Sequence, residues 1–397
     1  MNRFFFILLF LSNSLYFPGF AQTVEPTDTS RFSNSLRISV LTCGTGDELY
    51  ASFGHTGIRV QDSLKGIDVV YNYGTFNFGD PDFYSKFILG KLLYYLDKSN
   101  FNDFMATYHY EKRTVDEQEL LLRLPEKVKI VDYLEHNLLP ENRAYLYDFL
   151  YDNCATRVRD VFPQTLGPTF RYGEILGDKK VSFRIVINQY LFQKHWERLG
   201  INLLLGSNVD ADMTDSTSMF LPDFLYKGLE KATYQGNNIT LPNRALIEKV
   251  HVPAKSSLNI PFWVFTAVLA LLILTYFIPA CNSMKPFLNG ILLFIIGALG
   301  CFMLFMWLGT NHKACSENWN VLWALPFNII IAFIAHRKMP FLRLYALAAI
   351  TLLIVALLLN IIGMQQLPLL EIIPLLAALS FIYIDIYKRN IPTTQQA

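Results

Sequence analysis

Two residues in this chain have the types that covalent catalysis needs: a cysteine at 154 and a histidine at 55. Cys154 stands in "YDNCATRVRD", directly after Asn153 and three residues before Arg157. Asn is a favoured helix N-cap, so the spacing predicts a helix over 153–162 with the thiol in its first turn. Unpaired backbone N–H groups and the positive end of the helix dipole favour the thiolate there, and the thiolate is the nucleophilic form. Arg157, one turn along, adds positive charge nearby in this reading. Such a nucleophile also needs a base to shuttle protons. His55, in "SFGHTGIRV", follows a glycine and opens a β-rich run, a rigid support for a base. His136 and His195 fall in Lys- and Glu-rich helical stretches and read as solvated surface, while His251 lies close to the apolar half of the chain. Residue types alone leave two readings open: a Cys154–His55 dyad, or a structural histidine beside a Cys43–Cys154 disulfide. There is no HExxH, CxxC or close His/Asp pair, no Gly-rich phosphate loop and no G-x-S-x-G, so neither a metal nor a cofactor is expected.

The elements that must hold these groups follow from local pattern. "LRISVLTC" (36–43) reads as a strand and "GDELYASF" as a short helix. The runs 55–61 and 67–73 are β-rich and joined by "DSLKG", which predicts a hairpin. Helical spacing covers 81–91, 125–139, 153–162 and about 184–199. Residues 113–124 begin as a strand, and "AYLYDFLY" before Asn153 reads as extended. This order implies a mixed α+β domain with an antiparallel sheet.

The whole chain has 397 residues, 52% of them hydrophobic, and a formal net charge of +1. It is too apolar for an ordinary soluble enzyme and too near neutral for a nucleic-acid binder. Residues 1–21 carry a basic start at Arg3, a short apolar core and a small-residue end at Ala21, the pattern of a cleaved signal peptide. Residues 22–257 have the composition of a globular domain. Five apolar runs follow, at about 261–280, 287–308, 319–335, 344–362 and 367–387, each near the ~20 residues that cross a bilayer. The expected layout is a signal peptide (1–21), an exported domain (22–257), an all-α five-helix transmembrane domain (258–390) and a cytoplasmic tail (391–397). Loop charge agrees: Lys285, Arg337, Lys338, Arg343, Lys388 and Arg389 fall on one side and only Lys313 on the other. The protein is therefore expected in the cytoplasmic membrane with its N-terminal domain outside. Cys43, Cys154 and Cys315 are then external, where disulfides persist, and whether Cys43 pairs with Cys315 stays open. In the external connector 309–326, His312, Asn318 and Asn320 are placed to meet a lipid headgroup or to help cover the site. Its tryptophans read as interfacial anchors. Glu371, just inside the last run, is expected to face the bundle or the outer headgroups.

A strand-borne histidine followed about a hundred residues later by "NC" at a helix start resembles the circularly permuted papain-like fold of lecithin:retinol acyltransferase and its relatives in the NlpC-type superfamily. More closely, "FGHTGIRV", "VVYNYGTFNFGDPDFYSKFILGKLLYYL", "YDNCATRVRD", "MFLPDFL" and the five-run tail resemble the Lnb-type lipoprotein N-acyltransferases. The resemblance covers nearly all of the mature chain. It implies Cys154 as nucleophile, His55 as base, a phospholipid acyl donor and a lipoprotein acceptor, with no nucleic acid involved. It also implies a third polar residue on the strand after the histidine. A five-residue hairpin connector sets Tyr73 across from His55 and a four-residue one sets Asn72; Asn72 accepts from an imidazole N–H more readily. The same dyad would also suit a membrane-anchored cysteine peptidase or amidase acting on cell-wall peptides. A non-catalytic scaffold needs only the Cys43–Cys154 disulfide.

Overall fold

The computed structural model describes residues 28–248 and 257–391; the signal-peptide segment, His251 and most of the tail lie outside the described residues. Strands β1 (Leu36–Cys43), β2 (His55–Asp62), β3 (Ile67–Thr75), β4 (Leu93–Asn100), β5 (Val115–Glu119) and β6 (Ala144–Leu146) build one antiparallel sheet. A small second sheet holds β7 (Phe170–Arg171), β8 (Thr233–Tyr234) and β9 (Asn237–Asn238). The last strand, β10 (Arg244–Ile247), completes the first sheet, in the order β10-β5-β1-β2-β3-β4-β6. Helix α1 (Phe83–Ile88) precedes β4 and α2 (Phe101–Tyr110) follows it, while α3 (Leu124–Leu138) and α4 (Cys154–Leu166) lie on the opposite face of the sheet from α2.

Alternation decides which residues meet which helix. Ile38, Val40, Ile58, Val60, Tyr71 and Tyr73 turn to one face and bury against Val128, Val131 and Leu134 of α3 and Ala155, Val158 and Phe162 of α4. Leu41, Cys43, Val70 and Val115 turn to the other and bury against Phe104, Met105 and Tyr108 of α2. Sheet residues are thus covered on both faces, and α4 is held by a full apolar stripe.

The hairpin connector has four residues, 63–66, and pairs Asp62 with Ile67. Continued along the ladder, that register carries Gly74, not Asn72 or Tyr73, across from His55. Asn72 falls level with Gly57, on the same face as His55 and two residues along. Tyr73 turns into the core instead, where its hydroxyl accepts from Asn137 Nδ2 at 3.3 Å. The four-residue connector therefore does not set Asn72 directly across from His55 as expected, yet Asn72 reaches the imidazole along the shared face.

The predicted helix at 184–199 is two, α5 (Phe183–Tyr190) and α6 (His195–Leu204). Lys194 lies between them with φ −99° and ψ +71°, and its ammonium donates to Ser52 Oγ at 2.6 Å and to the Asp47 carbonyl. Capping that loop removes Lys194 from the helix. Helices α7 (Asp215–Ser218) and α8 (Pro222–Glu230) follow, ahead of β8.

The apolar half contains α9 (Ile260–Phe277), α10 (Lys285–Leu308), α11 (Asn328–Ile334), α12 (Pro340–Ile361) and α13 (Leu369–Arg389). Four of these are long and apolar enough to span a bilayer; the third predicted run is not a continuous helix. It consists of a 3₁₀ turn (Trp319–Leu322), an irregular stretch through Pro326, and the seven-residue α11. Proline removes a donor and disfavours helix in the residue before it. Irregular backbone is tolerated at membrane depth only when protein covers it. Here α10 does so: a Cβ on Gly300 would lie 1.8 Å from the Ala324 carbonyl oxygen, so the two backbones touch. The run still reaches from end to end of the bundle. Trp319 N donates to Gln365 Oε1 at 2.7 Å at one end, and the Ala335 carbonyl accepts from Arg389 at 3.1 Å at the other.

Candidate active site

His55 opens β2 because Gly54 turns the chain with φ +77°, and a Cβ at Gly54 would lie 2.7 Å from the Cys43 carbonyl oxygen. The His55 Nε2–H donates to Asn72 Oδ1 at 2.5 Å, which leaves Nδ1 for the thiol. Cys154 is the first residue of α4, and Asn153 caps it. Asn153 Oδ1 accepts from the Thr156 N–H at 3.0 Å, and the Thr156 hydroxyl accepts from the Asn153 N–H at 2.7 Å. The Asn153 amide also donates to the carbonyls of Phe149 at 2.6 Å and Phe220 at 2.9 Å. A single buried side chain thus fixes the helix start, the aromatic run before it and the loop before α8. Gly74, with φ +99°, leaves the space above the sulfur clear: a Cβ there would lie 3.6 Å from Cys154 Cβ and 3.8 Å from His55 Cε1.

Burial opposes charge on the Cys154 sulfur, but the adjacent His55 and the backbone N–H groups of Thr56 and Ala155 outweigh it, and the thiol is held below its ordinary value. Burial likewise pushes the His55 imidazole down, while the Cys154 charge and the hydrogen bonds to Cys154 and Asn72 lift it above its ordinary value. The two shifts favour a thiolate–imidazolium pair. Chemically, such a pair can attack an acyl carbon and protonate the group that leaves.

Arg157 does not contribute to this charge balance. Its guanidinium pairs with Asp152, Nη2 to Oδ2 at 2.7 Å, and lies 4.1 Å over the Tyr145 ring. Cys43 and Cys315 are free thiols, so neither expected disulfide partner is engaged. Burial pushes Cys43 up to about 12, leaving it protonated and inert.

The sulfur and the imidazole open into a cavity of about 290 Å³ lined chiefly by Tyr50, Phe53, Phe76, Phe87, Tyr147 and Phe149. A larger cleft of about 1020 Å³ lies between the domain and the membrane connector, with Arg157, Asp148, Asp160, Lys313 and His312 among its lining. His312 is in that cleft and not beside the sulfur; its Nε2 bonds the Phe87 and Ile88 carbonyls at 3.0 and 3.1 Å. Asn318 and Asn320 meet no headgroup. Both are buried, and they hold the Asn202–Leu204 carbonyls of α6, as in Asn318 Nδ2 to Leu203 O at 2.7 Å. Trp323, read as an interfacial anchor, is buried and donates to Asn320 Oδ1 at 2.9 Å.

Tyr145 was not legible as a site residue. Its hydroxyl is buried without a hydrogen-bond partner, and it lies 3.9 Å from the Gly74 Cβ position that also touches Cys154. The sequence showed only an aromatic run leading into "NC"; β6, pairing Tyr145 with Tyr94, is what brings its hydroxyl beside Gly74, which Cys154 also adjoins.

A mixed α/β domain carrying a thiol beside an imidazole, docked on helices long and apolar enough to span a bilayer, is the layout of an integral membrane protein. Residues 25–189 match the Lnb N-terminal periplasmic domain, and residues 254–390 match the Lnb transmembrane domain. The chain belongs to the Lnb family, and its N-terminal domain is periplasmic. No curated protein and no solved structure matches it.

Proposed function

We propose that the protein is a lipoprotein N-acyltransferase working through a Cys154 thioester. The observation that carries this reading is a thiol at a helix start and an imidazole oriented by Asn72 that open together into one aromatic cavity, in a chain with membrane-spanning helices. The order of parts, imidazole strand first and thiol helix later, fits a circularly permuted papain-like domain.

In the first step the Cys154 thiolate attacks an ester carbonyl of a phospholipid. The C–S bond forms, the ester C–O bond breaks, and the His55 imidazolium gives its proton to the leaving glycerol oxygen, releasing a lysophospholipid. In the second, the α-amine of a lipoprotein's lipid-modified N-terminal cysteine attacks the thioester. Neutral His55 takes the amine proton, the amide forms and the thiolate returns. Asn72 holds the imidazole in the tautomer that serves both steps. The developing oxyanion needs donors already in place; the unpartnered Tyr145 hydroxyl is one, and the backbone N–H groups at the start of α4 supply others. A membrane anchor suits the reaction because tethering both substrates to one bilayer raises their effective concentration.

The test is reconstitution in phospholipid vesicles with a diacylated lipopeptide bearing a free α-amine. The account expects one acyl mass gained on the amine for each lysophospholipid formed. Release of free fatty acid alone, or cleavage of a cell-wall peptide in place of acyl transfer, would assign the site to a hydrolase.

A further inference from the structure

We propose that the segment from Phe76 to Ile88 dips into the periplasmic leaflet and that donor acyl chains reach Cys154 from the bilayer across it. Phe78 is 73% exposed, Tyr84 79% and Phe87 51%, a density of bare aromatic surface that a face turned to water does not carry. The rings form one patch: Phe76, Phe78 and Phe83 contact one another with centroids 4.6–5.8 Å apart. The charge within it is partly neutralised, since Lys86 Nζ binds both Asp80 oxygens at 2.9 and 2.7 Å.

The position of the patch identifies what covers it. Helix α10 leaves the apolar layer at Leu308, and the connector that follows binds the end of α1 directly. Asn311 N donates to the Leu89 carbonyl at 2.9 Å, and His312 holds the Phe87 and Ile88 carbonyls. A six-residue helix is about 9 Å long, and the headgroup layer outside the ~30 Å core is roughly 5–8 Å deep on each side. The rings on α1 thus lie within about one short-helix length of the point where α10 ends, within reach of the headgroup layer, where aromatic side chains partition well. Phe87 belongs both to the patch and to the cavity wall, and the exposed Tyr50 stands on the same cavity. An acyl chain can pass from leaflet to sulfur without crossing water.

This inference rests on the reading of the cavity as an acyl site, yet contact with lipid can be scored without turnover. In full-length Cys154→Ala protein reconstituted in phosphatidylethanolamine/phosphatidylglycerol vesicles, p-benzoylphenylalanine would replace Phe78, Tyr84 or, as a control, Leu64. Leu64 is also exposed but sits in the β2–β3 connector, at the far end of the sheet from His55. After irradiation, phospholipid-mass adducts should form at positions 78 and 84 and not at 64. Adducts no more frequent than at 64, or cross-links to a second copy of the chain, would overturn the proposal. With Cys154 intact, Phe78→Ser/Tyr84→Ser should slow acylation from vesicles about tenfold or more, while acylation by a water-soluble short-chain ester stays unchanged. Equal effects on both donors would contradict it.

Discussion

The Cys154 thiol is acidified by its neighbours and the His55 imidazole is made more basic, and these opposite shifts set a pH window. Thiolate is present above the lowered thiol value, and imidazolium is present below the raised imidazole value. A bell-shaped kcat/KM should follow, its acid limb below the ordinary thiol value of 9.0 and its alkaline limb above the ordinary imidazole value of 6.5, both limbs belonging to the coupled pair. Because the Asn72 hydrogen bond helps raise the imidazole, Asn72→Ala should move the alkaline limb to lower pH. An unmoved limb would show that Asn72 does not tune His55. Tyr145→Phe removes one donor and should lower kcat by roughly 10²–10³ with little change in fold, because that hydroxyl has no protein partner to lose. At this scale the sequence carried the thiol and the imidazole through their own flanking residues, an Asn before one and a Gly before the other. Asn72 was legible from its acceptor chemistry although the pairing assumed for it was wrong, and Tyr145 needed a strand pairing that no local pattern announces.

At the scale of elements, α4 places the sulfur and Asn153 places α4. Asn153→Ala strands the Thr156 N–H and two carbonyls, so about 0.5–2 kcal/mol of stability should go with the cap and more with the buried groups left unpaired. Denaturant unfolding in detergent, read beside the alkylation rate of Cys154, separates the two effects: the thiol should react more slowly as its N–H partners shift. An alkylation rate equal to wild type would mean that the cap has no part in acidifying the sulfur. Strands β1 to β3 and helices α3 and α4 were legible because their apolar periods are clean. Strand β4 and α2 were hidden in a run that alternates poorly, and the break in the third apolar run was hidden by uniform hydrophobicity. Hydropathy reports the solvent around a segment, whereas Pro326 and the Gly300 contact decide its shape.

At the scale of the whole molecule, the two halves are locked by buried polar contacts. Glu371 of α13 is buried, accepts from Arg198 of α6 at 2.5 Å and from Asn259 Nδ2 at 3.1 Å, and Arg198 in turn touches His195 Nδ1 at 3.1 Å. Breaking such a pair from one side leaves an uncompensated charge, so Glu371→Ala should destabilise by about 3–5 kcal/mol, seen as a lowered Tm in detergent. A Tm within experimental error of wild type would show that the pair does not hold the halves together. The sequence marked Glu371 as needing a partner and could not name it, because the partner lies 173 residues away. The same lock holds the thiol-bearing domain against the apolar helices, an arrangement the proposed chemistry needs. The central claim is tested most directly by mass spectrometry of purified protein incubated with phospholipid alone. The account predicts a hydroxylamine-sensitive fatty-acyl mass on the Cys154 peptide, absent from Cys154→Ala and discharged by a lipoprotein-like amine; an acyl group on another residue, or none on Cys154 while acceptor lipopeptide is still acylated, would contradict it.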